Sequence, residues 1–318
     1  MNDQVHLDLA RSARETRVGV FYGIAAYGFW GFVAIYFKAV DHVPPLELLA
    51  HRIVWSTILL SLLVIIRGRW NETVAVFRSR RLMSVLLVTT ILVGFNWLLF
   101  IYSVASGQIL QASLGYYINP LINVLLGFVV LRERLNRWQW VSVGLAASGV
   151  LVMTMAVGSA PWLALMLACS FGLYGLFRKI APVPALVGLT FETWLLVPLS
   201  VVYLLALEVS GEGALFSGGI EQDLLLALAG VVTATPLLWF TNAARRLPLT
   251  TLGFLQYIAP TGQFLLAVLV YDEPFGPARL LAFGLIWAGL LLFSLDAAAR
   301  SRRARIARLA RRPPVTFP

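Results

Sequence analysis

Glu47, His51 and Arg52 stand together inside one long apolar run, and a further carboxylate, Glu192, stands inside another. An ionisable side chain within a membrane span costs roughly 2.5–3.5 kcal/mol on insertion scales, so each is a functional candidate by default. Glu47 and His51 are four residues apart and share a helix face, whereas Arg52 is turned about 100° away. Arg52 has two readings: it binds an anionic group of a substrate, or it is a snorkelling or gate-closing charge. Glu192 is either a proton-coupling group or a gate charge, and His51 either a packing residue or a relay. Polar groups also gather around two prolines: Tyr116, Tyr117, Asn119 and Asn123 beside Pro120, and Gln256, Tyr257, Thr261 and Gln263 beside Pro260. Proline removes a backbone donor and clashes with the carbonyl four residues back, so both helices are expected to kink at the same depth. Carbonyls freed in lipid need a partner from a neighbouring helix, a side chain or water. With Asn96 nearby in depth, these groups read as the wall of a central cavity for a small solute, or as amides that merely pack helices together.

Other chemistries lack their residues. No HExxH or GxSxG pattern occurs, and ELLAHR at Glu47–Arg52 has the wrong spacing for a zinc motif. Cys169 is the only cysteine, which excludes an internal disulfide and a cysteine metal site. No phosphate-binding P-loop is present. The chain is therefore not expected to be an enzyme, and no catalytic residue, metal or cofactor is assigned.

The elements that must hold these groups follow from composition. Of 318 residues, 59% are hydrophobic and only 13% charged, with mean hydropathy +0.82. Soluble domains carry about 25% charged residues, so an integral membrane protein is implied, and a nucleic-acid-binding globule is excluded despite the net charge of +10. A span needs about 20 apolar residues, and ten stretches qualify: 18–38, 46–66, 82–103, 109–130, 138–156, 161–177, 186–207, 223–243, 250–271 and 278–295. They are continuously apolar, unlike the alternating strands of a barrel, so the fold is all α. The first run follows Arg11, Arg14 and Arg17, yet carries Trp30 and Lys38 and lacks a small-residue cleavage site, which favours a retained helix over a signal peptide.

Basic residues in alternate connections set orientation. With the amino terminus inside, every Lys and Arg except Lys38, Arg52 and Arg279 falls on the inner side, including seven arginines from Arg300 to Arg312. Both termini are thus expected in the cytoplasm. The long outer connection, Glu208 to Asp223, has four acids and no base, and its four glycines mark it as irregular.

Shifting the chain by 140 residues matches it to itself. Tyr117-Ile118-Asn119-Pro120 meets Tyr257-Ile258-Ala259-Pro260, Glu133 meets Glu273, Gly149 meets Gly289, Val43-Pro44 meets Val183-Pro184, and Lys38 meets Arg178. Under the same offset Arg52 meets Glu192. The chain reads as a segment 1–17, a five-helix repeat 18–156, a second repeat 161–295 and a basic tail 296–318. Five is odd, so the repeats run through the bilayer in opposite senses, an architecture found in secondary transporters. Arg52 and Glu192 then sit about 9 Å inside opposite faces of a core of about 30 Å, too far apart in depth for a direct pair.

The stretches Ala26-Tyr27, Trp30-Gly31 and Tyr36-Phe37-Lys38, then ELLAHRIVW from Glu47 to Trp55, Asn96-Trp97, and ILQASLGYYINPLINVLLGFVVLRE from Ile109 to Glu133, resemble the RarD proteins. These belong to the EamA branch of the drug/metabolite transporter superfamily. The resemblance implies ten helices, a bacterial inner-membrane location and a small-molecule permease, in a family associated with chloramphenicol sensitivity. The expected function is export of small metabolites or drugs by alternating access. The alternatives are an uncoupled channel or facilitator, or a non-transporting scaffold. Expected partners are the substrate and the bilayer, with a homo-oligomer compatible.

Overall fold

The computed structural model describes residues 2–106, 108–157, 161–270 and 276–310; Glu273, matched above to Glu133, lies outside them. The described chain is helical: α1 Asn2–Ala39, α2 Pro45–Ile66, α3 Trp70–Arg78, α4 Arg80–Ala105, α5 Ile109–Val129, α6 Arg137–Val157, α7 Trp162–Ile180, α8 Ala185–Ser210, α9 Ile220–Arg246, α10 Leu249–Gln256, α11 Ile258–Leu269 and α12 Pro277–Ala310. Among the described residues nine helices are long and apolar enough to cross a membrane. A tenth apolar stretch, the one expected at 250–271, is divided at Tyr257 into α10 and α11.

Several bounds depart from expectation. α1 and α12 run on through the segments 1–17 and 296–318 as far as these are described, because neither contains a glycine or proline there and both are rich in good helix formers. Between α2 and α4, where only a basic connection was expected, α3 forms a short helix that buries Thr73 and Val76 and sets Phe77 against Phe191 at 4.8 Å. The acidic connection expected at 208–223 shortens to 211–219, with left-handed Gly211 ending α8 at φ 76° and Gly219 preceding α9 at φ 83°.

The two proline-bearing helices differ in continuity. α5 passes through Pro120 unbroken, whereas the matching helix breaks at Tyr257. The break puts Pro260 in the first turn of α11, where a helical N–H has no intrahelical acceptor in any case. The Tyr257 carbonyl accepts from Thr261 N and from Thr261 Oγ1 (3.1 and 2.7 Å), so it is not left bare in an apolar setting.

The chain packs as two units. One comprises Met1–Glu133 and Ala160–Pro274, the other Arg134–Ser159 and Phe275–Pro318. In the larger unit α1 lies on α9, α10 and α11; α2 on α8 and α9; α4 on α7 and α8; and α5 on α7 and α10. Small residues permit these approaches: a Cβ on Gly230 would come within 2.5 Å of the Trp55 backbone. The smaller unit is α6 against α12. There a Cβ on Gly149 would meet Ala282 O at 2.7 Å, and one on Gly289 would meet Ser142 O at 2.8 Å.

Glu133 shows how a charge outside the apolar runs is used. Its Oε1 and Oε2 accept from the N–H groups of Leu249 and Thr250 at 2.6 and 2.9 Å, capping α10. A carboxylate at a helix N-terminus satisfies donors that the helix cannot. Glu133→Ala is expected to cost about 1–2 kcal/mol, read as a lower unfolding temperature of detergent-solubilised protein, while Glu133→Gln loses less.

Candidate functional site

The larger unit holds a cavity of roughly 140 Å³. Seven parts of the fold reach the wall, α7 with Leu167 and Phe171 and α9 with Val232, Thr233 and Leu237 among them. α1 contributes Tyr27, Trp30 and Phe37; α4 contributes Asn96, Trp97 and Phe100; α5 contributes Gly115, Tyr116 and Asn119; and the broken helix contributes Gln256, Ala259, Pro260 and Gln263. Arg52 from α2 is the one charged residue on this wall.

Arg52 is held without a counter-ion. Its Nε donates to Thr233 Oγ1 at 2.9 Å, and the guanidinium carbon lies 5.5 Å from the ring centroids of both Phe37 and Trp97. No carboxylate of the described residues pairs with it. Guanidinium groups favour aromatic faces, and no hydrogen bond from either Nη to a described protein group accompanies that of Nε.

Glu47 and His51, four apart as expected, do not reach the cavity wall. Glu47 Oε1 accepts from Ala214 N at 2.6 Å and lies 3.8 Å from His51 Nε2. This pair ties α2 to the 211–219 connection. Around it, Tyr36 Oη donates to Leu225 O and Gln222 Nε2 to Ala214 O.

Glu192 is 1% exposed and belongs to a separate network. It accepts from Thr89 Oγ1 at 2.6 Å and from Tyr174 Oη at 3.1 Å, and lies 3.5 Å from Arg178 Nη1. Arg178 was counted among the basic residues of an inner connection; α7 instead extends to Ile180 and leaves Arg178 fully buried. Its Nη2 donates to Ala185 O at 3.2 Å, and a Cβ at Gly188 would sit 2.0 Å from Nη1. Glycine at 188 therefore makes room for the guanidinium beside Glu192.

Arg52 and Glu192 do not meet. α2 and α8 run antiparallel, as Trp194 Nε1 to Ser61 Oγ (2.9 Å) and Ala214 N to Glu47 show. Counting along α2, the two charges are separated by about 16 Å of helix axis. Stacked aromatics lie between them: Trp30 and Phe171 on the cavity wall, then Phe240, then Tyr174, with Phe171–Phe240 at 5.1 Å and Tyr174–Phe240 at 6.1 Å.

The amides beside the prolines do both jobs once weighed for them. Asn119 Nδ2 donates to Ala168 O (2.8 Å), and Asn123 Nδ2 to Asn119 Oδ1 (3.1 Å) and Gln256 Oε1 (2.8 Å). Asn96 Nδ2 donates to Leu167 O and Ser170 Oγ, both at 2.9 Å, and Gln263 Nε2 to Trp30 O at 3.2 Å. Of this group Asn96, Tyr116, Asn119, Gln256 and Gln263 face the cavity, with Pro260; Tyr117, Asn123, Tyr257 and Pro120 do not line it. Tyr257 Oη instead donates to the carbonyl of Tyr117, its own counterpart under the 140-residue offset, at 3.4 Å. Trp97 lines the cavity, whereas Trp194 packs on Trp70 and Phe77 and Trp239 on Phe29.

Thr233, Phe37 and Arg178 were not singled out from sequence. Arg178 had a visible signal. The repeat matches Lys38 with Arg178 and Arg52 with Glu192, so one copy carries two cations where the other carries a cation and an acid.

The sequence profile of the EamA-like transporter family matches residues 17–155. An uncharacterized transporter of Vibrio cholerae is 48% identical over 295 residues, covering 93% of this chain and 98% of its own. Protein RarD of Escherichia coli K12 is 44% identical over 92% of this chain and 98% of its own. A protein of Pseudomonas aeruginosa named chloramphenicol-sensitive protein RarD is 31% identical over 90% and 96%. A solved crystal structure superposes with TM-score 0.68 at 20% identity, covering 88% of this chain and 98% of that one, which shows a shared fold.

Proposed function

The chain belongs to the EamA-like transporter family, among its RarD proteins, and from that premise we propose a secondary transporter that exports small solutes across the bacterial inner membrane by alternating access. Residues 18–156 and 161–295 act as two inverted five-helix halves, with both termini cytoplasmic. The observation that carries this reading is the cavity whose wall is drawn from both halves and whose single charge among the described residues, Arg52, has no counter-ion among them.

The packing pattern supports the inverted halves. Exchanging α1 with α7, α2 with α8, α4 with α9 and α5 with α10–α11 turns α1 on α9 into α7 on α4, α2 on α9 into α8 on α4, and α5 on α7 into α10–α11 on α1; all of these contacts occur. Self-matched pairs support it too, namely Tyr117 with Tyr257 and, within the smaller unit, Gly149 with Ala282 beside Gly289 with Ser142.

In this reading the cavity, near the Arg52 end of α2, is the open site. The aromatic layer with the Arg178–Glu192 network is the closed gate. A channel would need a continuous path, and the packed Phe171–Phe240–Tyr174 layer argues against one. Arg52, Asn96, Tyr116, Asn119, Gln256 and Gln263 contact substrate; Glu47 and His51 fasten the outer connection; Glu192 serves gating or proton coupling.

Solute counterflow in liposomes tests the proposal, with saturable exchange expected. Non-saturating flux would favour a channel, and absence of all flux a scaffold. For Glu192→Gln, proton coupling predicts loss of stimulation by an imposed pH gradient with exchange retained, whereas a pure gate predicts altered exchange with or without the gradient.

A further inference from the structure

Resting on the reading of the cavity as the transport site, we infer that its substrate is a small organic monoanion, a carboxylate carried on a ring or branched apolar body of about benzoate's size. Charge comes first. The wall has one cation and no Asp, Glu, Lys or His. The Nε of Arg52 is committed to Thr233 and its faces to Phe37 and Trp97. What remains is the Nη edge, and paired parallel donors on that edge match the two oxygens of a carboxylate. No described protein group accepts from the Nη atoms of this part-buried guanidinium, and a bound carboxylate supplies that acceptor.

The same wall selects against other charge types. The ammonium of a zwitterionic amino acid would be desolvated with no acid to receive it. The oxygens of Asn119 and Gln256 are already engaged by Asn123, and the aromatic faces lie in the field of Arg52. A dianion would leave its second charge unpaired, and a neutral amide would offer Arg52 one uncharged carbonyl in place of a carboxylate's two charged oxygens.

Size and body follow from the remaining surface. Tyr27, Trp30, Phe100 and Phe171 supply apolar area around the charge. The volume, roughly 140 Å³, is close to the about 150 Å³ of an engineered apolar cavity that takes up benzene. One ring or a branched aliphatic group matches this volume.

The test is calorimetric titration of the purified full chain at neutral pH with benzoate, benzamide, phenylalanine, benzylamine and phthalate. Benzoate is expected to bind at least tenfold more tightly than each of the others. Arg52→Gln is expected to bring benzoate down to the level of benzamide. Thr233→Val, which keeps the charge but removes its anchor, is expected to weaken benzoate several-fold and serves if Arg52→Gln does not yield monodisperse protein. Benzamide or phenylalanine binding as tightly as benzoate overturns the inference, as does failure of all five probes or indifference of benzoate to both variants. Selective benzoate binding without flux in liposomes would sink the transport reading and leave the ligand class standing; saturable flux of some other solute with no benzoate preference would do the reverse.

Discussion

Arg52→Ala is expected to abolish saturable transport while leaving the protein as stable as the parent or slightly more so. The two halves of that result have different causes. A charge-assisted hydrogen bond contributes about 1.5–3 kcal/mol, so loss of the guanidinium removes roughly 10- to 100-fold of affinity for an anionic solute. The protein itself gives Arg52 one hydroxyl and two ring faces in return for its desolvation. Truncation therefore removes a poorly compensated charge, and groups kept for function at the expense of stability behave this way. Parallel thermal unfolding and counterflow of purified variants check it. A large fall in unfolding temperature would make Arg52 a structural residue, and unchanged transport would remove it from the site. Arg52→Lys is expected to fall between, because an ammonium keeps the charge and loses the paired geometry.

Glu192→Leu is expected to be the more damaging change for folding. Arg178 is fully buried, and Glu192 is its only ion-pair partner among the described residues. Removing one member of a buried pair leaves an uncompensated charge and costs about 3–5 kcal/mol, whereas replacing both by apolar groups is often neutral or stabilising. The double variant Glu192→Leu with Arg178→Met is accordingly expected to recover most of the unfolding temperature lost by the single one. Failure to recover would mean that the Tyr174 hydroxyl, left without its Glu192 acceptor, or a lost packing fit at Gly188, carries the effect. If the network closes one end of the transport path, the double variant is stable yet leaky, with solute flux no longer saturating.

The contrast between these two charges was half visible in the sequence. Arg52 and Glu192 stand out because charge is rare in an apolar run, and the repeat pairs them. The repeat also pairs Lys38 with Arg178, from which a self-neutralised cluster in the second copy could have been read. Arg178 was instead assigned to a solvated connection, because hydropathy ends a span at the first basic residue while the backbone ladder runs two residues further, to Ile180. The prolines mislead in a similar way. Pro120 and Pro260 are equivalent in sequence and alike in cost, yet only one of the two helices divides, at Tyr257. Glu47 and His51 were legible as a shared face, but not as a tie to Ala214, which is 167 residues away along the chain.

Hydrophobic run length, the placement of charge and the self-match at 140 residues are local or periodic properties. From them alone come an all-helical membrane protein, ten apolar stretches and a short list of polar groups inside them, because lipid penalises every charge and every unpaired backbone group wherever it occurs. Which of those groups face one another is a matter of helix rotation, depth and close approach at glycines such as Gly188 and Gly230. Those quantities are set by packing between segments far apart in sequence. Only the folded chain therefore separates Arg52, aimed at a cavity with its Nη edge unclaimed, from Glu192, sealed some 16 Å away along the helix axis against an arginine of its own.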